Sequence, residues 1–164
     1  MKILVTYFSQ TGNTKKIAEA IYSELHNEKE IKEMGDVDSL DAYDIVFVGM
    51  PVHAFGPAKA AQEFLEQKAH NKKIAVFITH AALEDMDETK EWVAKASDAA
   101  SKADVIGTFH CQGELSEPIA NFLKNHEDPQ MQFFGNSRND TIGQPDDSRI
   151  QKAKEFAREV LSKF

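Results

Sequence analysis

Six consecutive residues, Ser9-Gln10-Thr11-Gly12-Asn13-Thr14, concentrate hydrogen-bond donors between an apolar run and a helical pattern. Backbone N–H groups at a helix start have no partner within the helix, and the helix dipole favours an anion there. The hydroxyls of Ser9, Thr11 and Thr14 can donate to phosphate oxygens. Gly12 permits close backbone approach and unusual dihedrals. No lysine or arginine lies inside the loop, so a phosphate would be held mainly by oriented neutral donors. The competing reading is a helix cap, which Ser, Thr and Asn all make well; a cap needs one such residue, and this loop holds several. Neither Gly-x-x-x-x-Gly-Lys-Ser/Thr nor Gly-x-Gly-x-x-Gly occurs, which argues against a nucleoside-triphosphate loop and a dinucleotide fingerprint.

Strands and helices must alternate to position such a loop. Lys2 to Phe8 reads as a strand buried on both faces. Thr14 to Leu25 follows as a helix with Ile17, Ala18, Ile21 and Leu25 on its apolar stripe. A polar stretch near Glu30 to Met34 reads as a weak second strand, and 38–41 as a brief helix or turn. Asp44 to Gly49 is a buried strand, Pro51 to Pro57 a loop and Ala58 to Lys68 a helix. Ile74 to Thr79 is a further strand, Thr89 to Lys102 a helix and Val105 to Cys111 the last strand. Pro145-Asp146-Asp147 opens a C-terminal helix, with Ile150, Ala153, Ala157, Leu161 and Phe164 as its expected buried stripe. Between Gln112 and Gln144 the pattern is less regular, with a helix expected over Glu117 to Lys124 and another starting at Asp128-Pro129. The alternation predicts one domain over 1–164, an α/β three-layer sandwich around a parallel sheet. Ligands of such sheets bind beyond the carboxyl ends of the strands.

Composition narrows the chemistry. The net charge is -8, unsuited to a nucleic acid, whose phosphates need basic patches, and suited to encounter with basic proteins. Cys111 is the one cysteine, so no intramolecular disulfide or cysteine-based metal site can form. Its position allows redox activity, but a small buried hydrophobe is the commoner role. His53, His80, His110 and His126 are scattered without metal-ligand spacing. Without a signal-peptide pattern or an apolar stretch of membrane-spanning length, the expected location is the cytoplasm.

Thr-Gly-Asn-Thr after an opening strand resembles the phosphate loop of the flavodoxin family, and Ser9 to Thr14 matches it throughout. The order of elements extends the resemblance over most of the chain. It implies a doubly wound five-stranded parallel sheet in the order 2-1-3-4-5, and FMN as cofactor. It further implies that two loops hold the isoalloxazine ring: one with Pro51, Val52, His53, Ala54, Phe55 and Gly56, the other with Thr79, His80, Ala81 and Ala82. Flavodoxins often place tryptophan in the first and tyrosine in the second. Here Phe55, Val52 and His53 can cover the ring, with His53 or Phe55 in the place of the tryptophan, and the single tryptophan, Trp92, falls in a helix. His53 and His80 each also read as ordinary loop and strand-end histidines. The family's peptide flip in the first ring loop is assigned to Phe55-Gly56, because glycine rotates readily. The acids of 84–91 would disfavour a reduced anionic ring, or simply form a solvated helix start.

Two functions follow from the resemblance. One is an electron carrier that shuttles electrons through FMN to redox partner proteins with basic docking surfaces. The other is an FMN-dependent oxidoreductase acting on NAD(P)H, a quinone or another small acceptor; 112–144 could line or cap its pocket, hold a protein partner or serve as packing. A phosphoacceptor receiver is disfavoured, because Ser9-Gln10 and Gly49-Met50 stand where its acids would be.

Overall fold

The computed structural model describes all 164 residues. Five parallel strands, β1 (Lys2–Tyr7), β2 (Glu28–Glu33), β3 (Ile45–His53), β5 (Lys73–His80) and β6 (Asp104–Gln112), lie in the order β2-β1-β3-β5-β6. Counted as parallel strands, this is the expected order 2-1-3-4-5. A short β4 (Gly56–Pro57) runs antiparallel to the end of β3. The region 51–57, expected as a loop, is therefore a strand extension closed by a hairpin.

Helices cover both faces. α1 (Asn13–Glu24) and α6 (Asp147–Leu161) pack on one side, where Ile3, Val5, Ile17, Ile21, Phe47 and Phe77 lie in one core. α2 (Lys59–Lys68) and α3 (Asp87–Asp98) pack on the other, against Leu4, Val46, Val48, Ile74, Val76 and Ile78. The central strands are buried on both faces, hence their unbroken apolar runs. β2 reads as polar because it is an edge strand, which charged side chains protect against further pairing. Lys2 and Lys32 both pair with Glu30, at 2.7 and 2.6 Å.

The C-terminal helix starts where expected, with the Asp146 carboxylate accepting the Arg149 N–H. Its buried stripe is Ala153, Phe156, Ala157 and Val160, one step round from the expected one. Phe156 turns it, because its ring meets both Phe47 and Phe109; Phe164 is exposed. The stretch 112–144 holds α4 (Glu117–Lys124) and α5 (Pro129–Asn136), a packed helical hairpin followed by a 3-10 turn. No helix of the chain is long and apolar enough to cross a membrane.

Candidate functional site

The polar end of the site is built where β1 stops. Phe8 N–H still donates to the Gly49 carbonyl at 3.0 Å, so the chain leaves the sheet only at Ser9. Gly12 takes φ +94°, the left-handed region where glycine is cheapest. The Ser9 hydroxyl accepts from the N–H groups of Gly12 and Lys15, at 3.2 and 3.4 Å. One hydroxyl thus does the capping. The first-turn N–H groups of Asn13 and Thr14 have no carbonyl within the helix to bond. Thr14 and Thr79 share a buried hydroxyl–hydroxyl bond of 2.8 Å; since one donates to the other, one hydroxyl hydrogen of the pair is left to give. Ser9, Gln10, Thr11, Asn13 and Thr14 line a cleft of about 80 Å³ with Pro51, Val52, His53, Thr79, His80 and Ala81. No lysine or arginine lines it. The Glu114 carboxylate at its edge is engaged by Gly143 N–H at 3.1 Å and Arg138 at 3.6 Å.

The apolar end begins at the β3–β4 hairpin. Its two turn residues, Ala54 and Phe55, have φ of +47° and +65°. Paired positive φ values mark the tightest hairpin turns, which usually carry Asn or Gly. Side chains there cost roughly 1–2 kcal/mol each. Packing offsets that cost: the Phe55 ring lies 5.2 Å from Trp92 and 6.2 Å from Phe134, and Trp92 lies 5.1 Å from Phe134. These rings wall an apolar compartment of about 390 Å³, closed on the far side by Leu115, Ile119, Phe122, Leu123 and Met131 of the helical hairpin and its approach. That volume falls at the small end of the roughly 300–1,000 Å³ of small-molecule sites. Gln10, Val52, His53, Ala81, Leu115 and Ile119 line both spaces, so the polar cleft opens into the apolar one.

A donor-rich helix start at the carboxyl end of β1, leading to an apolar slot between the β3 and β5 loops, is the arrangement the sequence suggested. Comparison with known proteins agrees. A family model described as Flavodoxin domain matches residues 4–158. The chain belongs to this flavodoxin family. It is 35% identical to the flavodoxin-like domain-containing protein BilS of Clostridioides difficile, covering 99% of this chain and 98% of that protein. It is 27% identical to a Lactobacillus acidophilus flavoprotein solved in complex with FMN, over 66% of this chain and 92% of that one, with a TM-score of 0.54. Flavodoxin 2 of Bacillus cereus superposes over 100% of both chains with a TM-score of 0.68, at 22% identity.

The aromatic walls of the apolar compartment come from unexpected places. Trp92 reaches the compartment from α3, and Phe134 from α5. The sequence signal was present but weak: α4 has Ile119, Phe122 and Leu123 on a helix of eight residues, more apolar surface than so short a helix buries in the core. Among the expected site residues, Ala54 and Phe55 line only the apolar compartment. Ala82 lines neither space; it packs with Trp92 and Phe134. Gly12 and Gly56 line neither. Gly56 pairs with His53, and the left-handed conformations fall at Ala54 and Phe55 instead. The rotational freedom expected of Gly56 is unused in this conformation.

The neighbouring charges are committed elsewhere. His80 is 4% exposed; its Nδ1 lies 3.1 Å from the Ala82 carbonyl and its Nε2 3.0 Å from His110 Nδ1. Burial, then the nearby His110, push its pKa down to about 4. Burial also lowers His53. Burial raises the Glu84 carboxyl, but the Gln112 N–H and the Arg149 guanidinium, at 2.6 Å, outweigh it and hold the group below its usual range. Asp87 and Glu88 occupy the first turn of α3, which favours the solvated-helix-start reading of that acidic run. Cys111 is buried, and burial pushes its thiol up to about 12, so it behaves as a small core residue.

Proposed function

We propose that the chain binds FMN across the two joined spaces and works as an electron carrier. The observation that carries the reading is the continuity of a donor-lined cleft at a helix N-terminus with an aromatic-walled slot of small-molecule size. The residues fit the group. First-turn N–H groups of α1, with the hydroxyls of Thr11 and the Thr14–Thr79 pair, suit a phosphate. Val52, Ala54 and the Phe55, Trp92 and Phe134 rings on one side, with Ile119 and Leu123 on the other, suit a flat ring. When bound, FMN supplies the redox chemistry, while the protein supplies binding, orientation and electrostatics. His53 and His80, together with Glu114, are the titratable groups lining the cleft, and His53 is the one in the apolar slot. Electron carriage needs no array of acids and bases, so this sparse set supports a carrier.

The net charge of -8 supports partners with basic docking surfaces. A cytoplasmic location is proposed on the single cysteine, which is buried and unpaired and so suits a reducing compartment. A second reading, an FMN-dependent oxidoreductase acting on a small acceptor, is favoured by one observation. His53 stands at the junction of the two spaces, where it could hand a proton to a bound acceptor.

The visible spectrum of the purified protein, before and after incubation with FMN, tests the cofactor. A flavin spectrum with quenched flavin fluorescence is expected; a colourless protein that leaves FMN fluorescence unquenched overturns the reading. Steady-state oxidation of NAD(P)H separates the functions, since a carrier turns over very slowly unless a reductase is added.

A further inference from the structure

The Asn13 side-chain amide is committed within the protein. Its Nδ2 donates to the backbone carbonyl of Glu114 at 2.9 Å, across 101 residues of chain. The contact is built on both sides. Gly113 leaves the notch that Asn13 occupies: a Cβ on Gly113 would stand 2.6 Å from Asn13 Cγ and Nδ2. Such a distance admits no side chain without displacing the amide.

Glu114 is the root of the helical hairpin. Its N–H donates to the Gln144 carbonyl at 2.9 Å, Leu115 N–H donates to Thr141 Oγ1 at 2.9 Å, and Gly143 N–H donates to Glu114 Oε2 at 3.1 Å. Both ends of the hairpin are thus tied to each other at one place. Gly113 N–H donates to the His80 carbonyl at 2.7 Å, which holds the end of β6. Beyond that point, Asn13 supplies the side-chain bond from α1 to the root. Leu115 and Ile119, just past the root, line both spaces.

We propose that Asn13 is a positioning residue that latches the hairpin to the phosphate loop. Recognition of a ligand's phosphate and covering of its ring are thereby coupled through the Asn13–Gly113 contact. The coupling rests on the FMN reading above; the latch itself does not. A phosphate seated on the first turn of α1 orders the residue that holds the hairpin down. Conversely, a hairpin held down keeps the Asn13 side chain turned away and its N–H free for the anion.

Two variants test this. Asn13→Ala removes the latch at a position where alanine is helix-compatible. Gly113→Ala displaces the Asn13 amide and leaves the phosphate-loop sequence intact. The first readout is hydrogen exchange of the ligand-free proteins, which needs no flavin. Both variants are expected to exchange faster at residues 115–136, with the strands unchanged. The second is the affinity for FMN and for riboflavin, which lacks the phosphate. A latch predicts a loss of about three- to tenfold for both ligands, the worth of one hydrogen bond. Unchanged exchange at the hairpin overturns the latch; a loss confined to FMN also overturns it and makes Asn13 a direct phosphate ligand. If wild-type protein binds neither flavin, the FMN reading fails, and the exchange result still decides the latch.

Discussion

The Ala82 carbonyl can only accept, so Nδ1 of His80 carries a proton, and its Nε2 then receives one from His110 Nδ1. Both rings rest neutral, and protonating both would set two N–H groups against each other. Free histidine titrates near 6.5, whereas burial holds His80 down to about 4 and lowers His110 in the same direction. Between those values the unfolded chain binds protons that the folded chain refuses, so stability is full above pH 6.5 and falls on acidification toward pH 4. The loss from His80 amounts to at most about 3 kcal/mol. Thermal melts at pH 7 and pH 5 should show it, and His80→Gln should be less stable at pH 7 yet flatter across that window. A His80→Gln profile parallel to wild type would place the acid sensitivity elsewhere. Thr14→Val tests the hydroxyl pair: Thr79 would be left buried without its partner, for a loss of about 1–3 kcal/mol and a weaker hold on FMN but not on riboflavin.

At the scale of elements, the hairpin of α4 and α5 behaves as one piece because Gly135 lets the helices touch. A Cβ there would stand 2.6 Å from Lys124 N and 2.8 Å from Ala120 O. These are backbone atoms that cannot step aside, so Gly135→Ala should splay the pair. Overpacking of this kind costs about 1–3 kcal/mol; the expected signature is faster hydrogen exchange over 117–136 and a loosened grip on the flavin ring, with phosphate-loop exchange unaltered. The turn between β3 and β4 gives the opposite sign. Ala54→Gly removes a left-handed alanine and should leave stability unchanged or raise it by up to about 1 kcal/mol, read as a higher melting temperature. Elements of this kind differ in how far the sequence reveals them. The loop from Ser9 to Thr14 is contiguous and follows a buried strand, so its place at the start of α1 was readable. The order of parallel strands followed from apolar runs alternating with amphipathic helices. Trp92 and Phe134 were not readable as walls of the apolar compartment, because their distance in sequence hides a contact made only when α3 and α5 converge on Phe55. Nor was the Ala54–Phe55 turn, since it lacks the Asn and Gly that usually mark one.

Taken whole, the molecule presents an apolar mouth inside an acidic surface. Phe122 is 67% exposed, and Ile119 and Leu83 are also exposed; Phe122 and Ile119 line the apolar compartment itself. Asp85, Asp87, Glu88 and Glu91 are exposed along the start of α3, the helix that brings Trp92 to the same compartment. If the chain is the proposed carrier, two forces of different range act on its redox partner. The net charge of -8 draws a basic protein in over a distance set by salt, with a screening length of about 30 Å at 0.01 M and about 8 Å at 0.15 M. The apolar mouth acts only on contact and is insensitive to salt. Electron transfer from the reduced holoprotein to cytochrome c, as a basic probe, should slow by tenfold or more between those ionic strengths. Asp85→Asn with Glu88→Gln should flatten that salt dependence while leaving the high-salt rate near wild type. Phe122→Ser should lower the high-salt rate and keep the slope, since it removes contact area and no charge. Equal slopes in wild type and the doubly neutralised protein would mean that the acids of α3 are a solvated helix start with no part in docking, and that the attraction arises elsewhere on the surface.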